Sequence, residues 1–308
     1  TIERKCGSGQ QAIEFAAAGI VAGLYDVVIA GGVESMSRVP IMSARMGADP
    51  HGPSVRARYP DLVPQGVSAE LVAHRWGLSR TTMDAYAVRS HARAAAAAAS
   101  GGFADELIPV TPPGSAPVSV DESIRPGTTL ERLAGLAAVF GTDTMRARFP
   151  EIEWSVTAGN SSQITDGASV LLLMSEERAD ALGLRPRARI HASAVVGDDP
   201  QLMLTGPIAA TTKVLARGRL TLREIDTVEV NEAFASVPLA WLAEHPFDEE
   251  RLNPRGGAIA LGHPLGASGA RIMTTMLHHL EQTGGRFGLQ TVCEAGGMAN
   301  ATILERLA

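Results

Sequence analysis

The chain has only two cysteines, Cys6 and Cys293, in 308 residues. That excludes a disulfide framework and a cysteine-rich zinc site, and makes a reducing, cytoplasmic setting the expectation. Aromatic residues are 4% of the chain, too few for base-stacking platforms. The formal net charge is -6, so no basic face is expected for nucleic acid or an anionic membrane. No apolar run reaches the roughly 18 residues of a membrane-crossing helix. The first residues contain no charged stretch leading into an apolar one, so they do not read as a signal peptide. No histidine pair has metal-ligand spacing beside a carboxylate, so no metal is expected. Glycine patterns for a dinucleotide or a nucleoside triphosphate are also missing.

What is present is core-forming. Hydrophobic residues are 45% and charged residues 19%, which rules out a wholly disordered chain and suits two domains or one large one. Residues 6–23 read as a buried helix ended by Gly23, with almost no polar face. Val27–Ala30 reads as a short apolar strand, of the kind parallel sheets cover on both sides. Prolines concentrate across residues 38–154, where two helical stretches, 68–76 and 79–100, keep apolar faces. This segment reads as an inserted, loop-rich domain. Strands are expected at 170–174, 188–196, 227–230, 288–293 and 300–306, with helices at 178–182, 208–217, 233–244 and 270–282. Cys6-Gly7-Ser8-Gly9 with its helix and strand resembles Leu265–Gly269 with its own, which hints at an internal duplication.

Four places carry candidate chemistry. Cys6 opens a helix, whose partial positive charge favours thiolate, and Gly7, Ser8 and Gly9 let a carbonyl approach backbone N–H groups. A buried structural cysteine is the alternative. His263 stands in the glycine-rich segment Gly256–Gly269, where its ring can reach a thiol as a base; a loop histidine bonded to backbone is the alternative. Cys293 ends an apolar strand before Glu294-Ala295-Gly296-Gly297 and could serve as a second acid/base. Asn231 could hold a water or a carbonyl oxygen, or simply cap a helix, and the adjacent Glu232 could orient the histidine.

Together the motifs resemble the thiolase family, which transfers acyl groups between coenzyme A and a cysteine. They are Lys5–Gly9, Ala30–Ser37, Thr157–Ser162 with Asp166-Gly167-Ala168, Asn231–Ala235, Gly256–Gly269, and Cys293 with its glycines. They span the chain in the family's order. The resemblance implies an α/β fold of two duplicated halves with five-strand mixed sheets and helices between. It places one half at residues 1–180, carrying the insertion at 38–154, and the other at 181–308. It also implies roughly eighty residues ahead of the nucleophile where this chain has five, and so an incomplete first half.

By resemblance, Cys6 forms the acyl-enzyme, and His263 activates Cys6 and later the incoming CoA thiol. Cys293 moves the proton at the α-carbon. Asn231 holds a water that forms one oxyanion hole with His263, and the N–H groups of Cys6 and Ala295 form the other. Ser162 matches a serine that contacts CoA. The resemblance implies CoA as substrate with no bound cofactor, and a homodimer or homotetramer. Two departures stand out. Ala295 replaces a usual glycine and can donate its N–H there only with a negative φ. Pro64-Gln65 replaces the His-Met pair of short-chain biosynthetic members, which favours degradative thiolysis of longer or bulkier 3-oxoacyl-CoA. Alternatives are acetoacetyl-CoA formation from two acetyl-CoA, and a silent thiolase-like protein that binds acyl-CoA or scaffolds a partner. Decarboxylating condensing enzymes, which pair their cysteine with two histidines, are disfavoured by Asn231 and Cys293.

Overall fold

The structure, a computed structural model, describes residues 1–307. A one-turn 3-10 helix at Lys5–Gly7 leads into α1 (Ser8–Val21) and β1 (Val27–Ser35). The insertion follows with α2 (Pro53–Arg58), α3 (Gln65–Arg75), α4 (Arg80–Ala99), α5 (Leu130–Ala134) and α6 (Asp143–Arg148). The chain continues with β2 (Asp166–Met174), α7 (Glu176–Ala181), β3 (Ala188–Gly197), α8 (Gly206–Gly218) and β4 (Thr227–Val230). It ends with α9 (Ser236–Glu244), α10 (Ala258–Leu261), α11 (Leu265–Thr283), β5 (Phe287–Glu294) and β6 (Met298–Arg306).

Two sheets sandwich α1 and α11. One pairs β1 with β2, antiparallel, in register from Val27–Met174 to Ser35–Asp166. The other runs β3-β6-β5-β4, with β5 and β4 parallel and the other pairs antiparallel. α8 packs on its far face against β3, β5 and β6. Among the described residues the sheets hold two and four strands, not five each. The central strands β5 and β6 and the edge strand β4 are buried almost throughout, because helices cover the sheet.

The first sheet departs from expectation. β1 was expected to be a parallel strand covered on both sides. It is antiparallel to β2, and its side chains alternate, so Ile29, Val33, Val170 and Leu172 stand on an exposed apolar face. α1 departs too. Its buried face carries Gln10, Gln11 and Glu14 beside Ile13 and Ala16, while Phe15 and Val21 are exposed. The buried polar groups are tolerated because β5 and β6 supply partners for them.

The two glycine-rich segments that resemble one another meet across the fold. α1 and α11 pack closely at glycines: a Cβ on Gly9 would come within 2.7 Å of the Gly266 carbonyl, and one on Gly269 would overlap Gln10 backbone. Both glycine-rich turns are needed for that approach. The main core gathers around Trp241, Ile225, Leu252, Leu289 and Ile303. A second cluster joins Ile13 of α1 to Met273, Met276 and Leu280 of α11.

The insertion is mostly helix and loop, as expected. Ser79 caps α4 by accepting from Thr82 N–H, and the alanine-rich helix buries Met83, Tyr86, Ala87 and Ala94 on one face. Glu70 of α3 is fully buried and accepts from the N–H groups of Ser155 and Val156 at 2.8–3.0 Å. That carboxylate fastens the insertion to the Thr157–Asn160 turn.

Candidate active site

Cys6 sits in the 3-10 turn ahead of α1 and is 3% exposed. The turn is closed locally: Gly7 N–H donates to Arg4 O, Arg4 N–H to Ser8 Oγ, and Ser8 Oγ–H to Lys5 O. Lys5 adopts a left-handed φ of 51° to make that turn. Burial and the nearby Glu294 carboxylate push the Cys6 thiol up to about 12. That direction is opposite to the thiolate a helix N-terminus would favour: desolvation leads, and Cys6 lies ahead of α1, whose N-cap is Gly7.

Cys293 lies at the end of β5 and is fully buried. Burial, then the charges of Cys6 and Glu294, push its thiol well above the usual range, while the Asn231 amide donates to it and pulls the other way. The two sulfurs thus lie close enough to feel one another. Ala295 keeps a negative φ, whereas Gly296 and Gly297 are at 99° and 79°. The condition on Ala295 is met, and its N–H, with that of Cys6, is directed at the Cys6 sulfur.

Asn231 follows β4, its N–H donating to Thr291 O at 3.0 Å. It caps no helix, since α9 begins only at Ser236. Its Nδ2 also lies 3.4 Å from His263 Nε2. His263 is 4% exposed, and its N–H donates to Gln163 O at 3.0 Å. Its Nδ1 lies 2.6 Å from Ser268 Oγ, which itself lies 3.0 Å from Pro264 O. The Ser268 hydroxyl has one proton and donates it to that carbonyl, so Nδ1 carries the ring proton and donates to Oγ. Nε2 is then a free base facing Asn231. Desolvation pulls the ring's pKa down to about 4, so His263 is neutral at neutral pH.

Cys6, Cys293, Asn231 and His263 therefore form one buried chain of interacting groups. Ser162 lies apart from that chain. Its N–H donates to Ala233 O at 3.0 Å, on the segment that continues from Asn231. Glu232 does not orient the histidine: its carboxylate accepts from Tyr86, Ser90, Asn253 and the Ile259 N–H. Four donors already satisfy it, and Ser268 holds the imidazole instead.

Ser268, Gln163 and Glu294 are parts of this region that sequence reading missed. Gln163 Nε2 donates to Ile259 O at 2.8 Å and so braces the histidine loop. A cleft of about 230 Å³ opens between the Val110–Val118 bridge and α11, with the Asp121–Arg271 ion pair in its wall; neither cysteine lines it. Among the described residues no group of three or more His, Cys, Asp or Glu could hold a metal ion, and no helix is long and apolar enough to cross a membrane.

Comparison with known proteins shows the family. Residues 1–177 match the thiolase N-terminal domain and residues 184–306 the thiolase C-terminal domain. The match over 1–177 does not bear out an incomplete first half. The steroid 3-ketoacyl-CoA thiolase FadA6 of Mycobacterium tuberculosis is 49% identical over 317 residues, covering 100% of this chain and 74% of that protein. The 3-ketoacyl-CoA thiolase of Bacillus subtilis is 41% identical over 322 residues, covering 99% and 78%. The crystal structure of the Bacillus anthracis acetyl-CoA acetyltransferase superposes with a TM-score of 0.86 at 38% identity, covering 100% of this chain and 78% of that one. With family matches across both halves and relatives at this identity, the chain belongs to the thiolase family.

Proposed function

We propose that this acyltransferase cleaves a 3-oxoacyl-CoA with CoA, giving acetyl-CoA and a shortened acyl-CoA, as a step of β-oxidation. The observation that carries the reading is the buried chain Cys6–Cys293–Asn231–His263. Relatives named 3-ketoacyl-CoA thiolase support the degradative direction over acetoacetyl-CoA synthesis, and the intact chemical groups disfavour a silent scaffold.

The geometry suggests how the residues share the work. Neutral His263 takes the Cys6 proton as sulfur attacks the 3-keto carbon. Because the thiol is held near 12 and the imidazole near 4, proton transfer is coupled to attack rather than completed before it. The C2–C3 bond breaks, and the departing enolate takes its proton from Cys293, a thiol firmly protonated at neutral pH. Amide donors face the developing charge: Asn231 with His263 on one side, and the N–H groups of Cys6 and Ala295 on the other. The proton on His263 then passes to the Cys293 thiolate. His263 next takes the proton of CoA, whose sulfur attacks the acyl-Cys6 thioester and releases Cys6, which is reprotonated. Ser162 contacts the bound CoA in this reading, and no resident cofactor takes part.

A bulky acyl group is our preferred substrate class, supported by Pro64-Gln65 and by the relative named for steroid thioesters. The chain divides, in this reading, into halves at 1–180 and 181–308 with the insertion at 38–154. It works in the cytoplasm as a homodimer or homotetramer. The uncovered apolar face of β1 and β2 supports association with a second copy.

The test is intact-protein mass spectrometry after mixing the chain with a panel of 3-oxoacyl-CoA thioesters without free CoA. An adduct on the wild type and none on Cys6→Ala is the expected outcome, and its mass reports the preferred acyl group. Equal labelling of both proteins would sink the assignment of Cys6.

A further inference from the structure

Glu294 follows Cys293 at the end of β5 and is fully buried, yet the chemistry above does not use it. Its Oε2 accepts from Arg4 Nε at 2.6 Å. Its Oε1 has no hydrogen-bond partner and lies against Gly7, where a Cβ would overlap it. Arg4 and Gly7 bracket Cys6. One carboxylate therefore touches the nucleophile's turn on both sides, while its backbone continues directly from the second cysteine. That turn holds Lys5 at a positive φ, a conformation that persists only when its surroundings hold it.

We infer that Glu294 is a positioning residue for the reaction: its carboxylate clasps the Cys6 turn to the end of β5 and supplies the negative charge against which both thiols must ionise. The inference rests on the roles of Cys6 and Cys293 proposed above. The surrounding charges are Arg4 and Lys5 on the turn, Glu14 on α1, Arg217 on α8 across the sheet, and the two cysteines themselves; His263 is neutral. Of these, only Arg4 opposes Glu294 by direct contact. The charge has a use. It disfavours ionisation of Cys6, and it adds to the burial that keeps Cys293 protonated as the acid that must quench the enolate. Burial holds the Glu294 carboxyl at about 7, and Arg4 pulls it down.

The test reads Cys6 directly, through the rate of alkylation by iodoacetamide against pH, with peptide mapping to separate Cys6 from Cys293. Glu294→Gln removes the charge and keeps the shape and an acceptor for Arg4. The midpoint of Cys6 alkylation is expected to move down by about one pH unit, a roughly tenfold faster reaction at a fixed pH above the Glu294 titration at about 7 and below the midpoint. Arg4→Gln leaves the carboxylate unopposed at alkaline pH, and the midpoint is expected to move up. General loosening of the turn would move both variants the same way. Shifts of equal sign, or a Glu294→Gln profile that overlays the wild type, would overturn the inference. Failure of the underlying reading has a separate signature: thiolysis that survives in Cys6→Ala.

Discussion

At the scale of single residues, the site is ordered by a hydroxyl that sequence inspection passed over. Ser268 lies one turn into α11, and donating to Pro264 O leaves its oxygen free to accept from His263 Nδ1. That fixes the tautomer in which Nε2 is the base. Ser268→Ala removes the acceptor, so the ring loses both its orientation and its preferred tautomer. The expected result is a fall in kcat of about 10-fold to 100-fold, a part of what general base catalysis contributes, with KM for the acyl thioester nearly unchanged. Ser268→Thr, which keeps the hydroxyl, is expected to recover most of the loss. Steady-state kinetics on the three proteins check this, and a Thr variant as slow as Ala would remove the hydroxyl from the account. The residues proposed as catalytic stand out in the sequence because small residues flank reactive ones: Cys6 before Gly7-Ser8-Gly9, Cys293 before Ala295-Gly296-Gly297, and His263 among glycines. Ser268, Gln163 and Glu294 carry no such mark. Their roles exist only through contacts made across the fold, and a serine in a helix's first turns reads as an ordinary solvated residue.

At the scale of elements, glycine decides how closely the first sheet meets the central helices. Gly32 of β1 lies so near Gly266 that an added Cβ would overlap its backbone carbonyl, and Gly266 N–H is held by Glu34 Oε2 at 2.9 Å. Backbone on both sides cannot step aside as a side chain could. Gly32→Ala is thus expected to cost about 3 kcal/mol or more, the upper end of overpacking costs, and to lower kcat because Gly266 follows His263 closely in the chain. Gly197→Ala, at the open end of β3 with nothing within 4 Å of its added Cβ, is the control and is expected to be near neutral. Chemical denaturation of the two variants measures the difference; equal midpoints would show that β1 can retreat from α11. The same elements show what pattern reading captures. β4 was located to the residue, and β5 and β6 nearly so, because short runs holding Val, Thr, Ile and Leu between turn residues read as strands. β1 has such a run too, but half of it faces outward, and no local signal distinguishes the two cases. α1 misled for the opposite reason: its buried face is partly polar.

At the scale of the whole molecule, that polar face is a seam between α1 and the four-stranded sheet. Glu14 of α1 accepts from Thr302 Oγ1 at 3.1 Å, and from Gln11 Nε2 and Asn300 Nδ2 at 3.3 Å; Gln10 donates to Thr302 at 2.7 Å and accepts from Gln290 at 3.2 Å. Only folding brings α1 against β5 and β6, so the seam could not be read from the chain. Its cost depends on pH. Burial raises the Glu14 carboxyl from 4.5 to about 7, partly offset by the Thr302 bond. The folded state then binds a proton more tightly than the unfolded one. The stabilisation from that proton is fully present below about pH 4.5 and is lost as pH rises through about 7. A shift of this size corresponds to about 3 kcal/mol, and Glu294, also raised to about 7, acts in the same direction. Glu14→Gln abolishes one titration while keeping an acceptor for Thr302. Relative to the wild type, it is expected to gain about 2–3 kcal/mol between pH 4.5 and 7.5, measured by urea unfolding at each pH. Stability curves that run parallel would mean that the carboxylate is solvated in the folded protein, and that the seam between α1 and the sheet admits water.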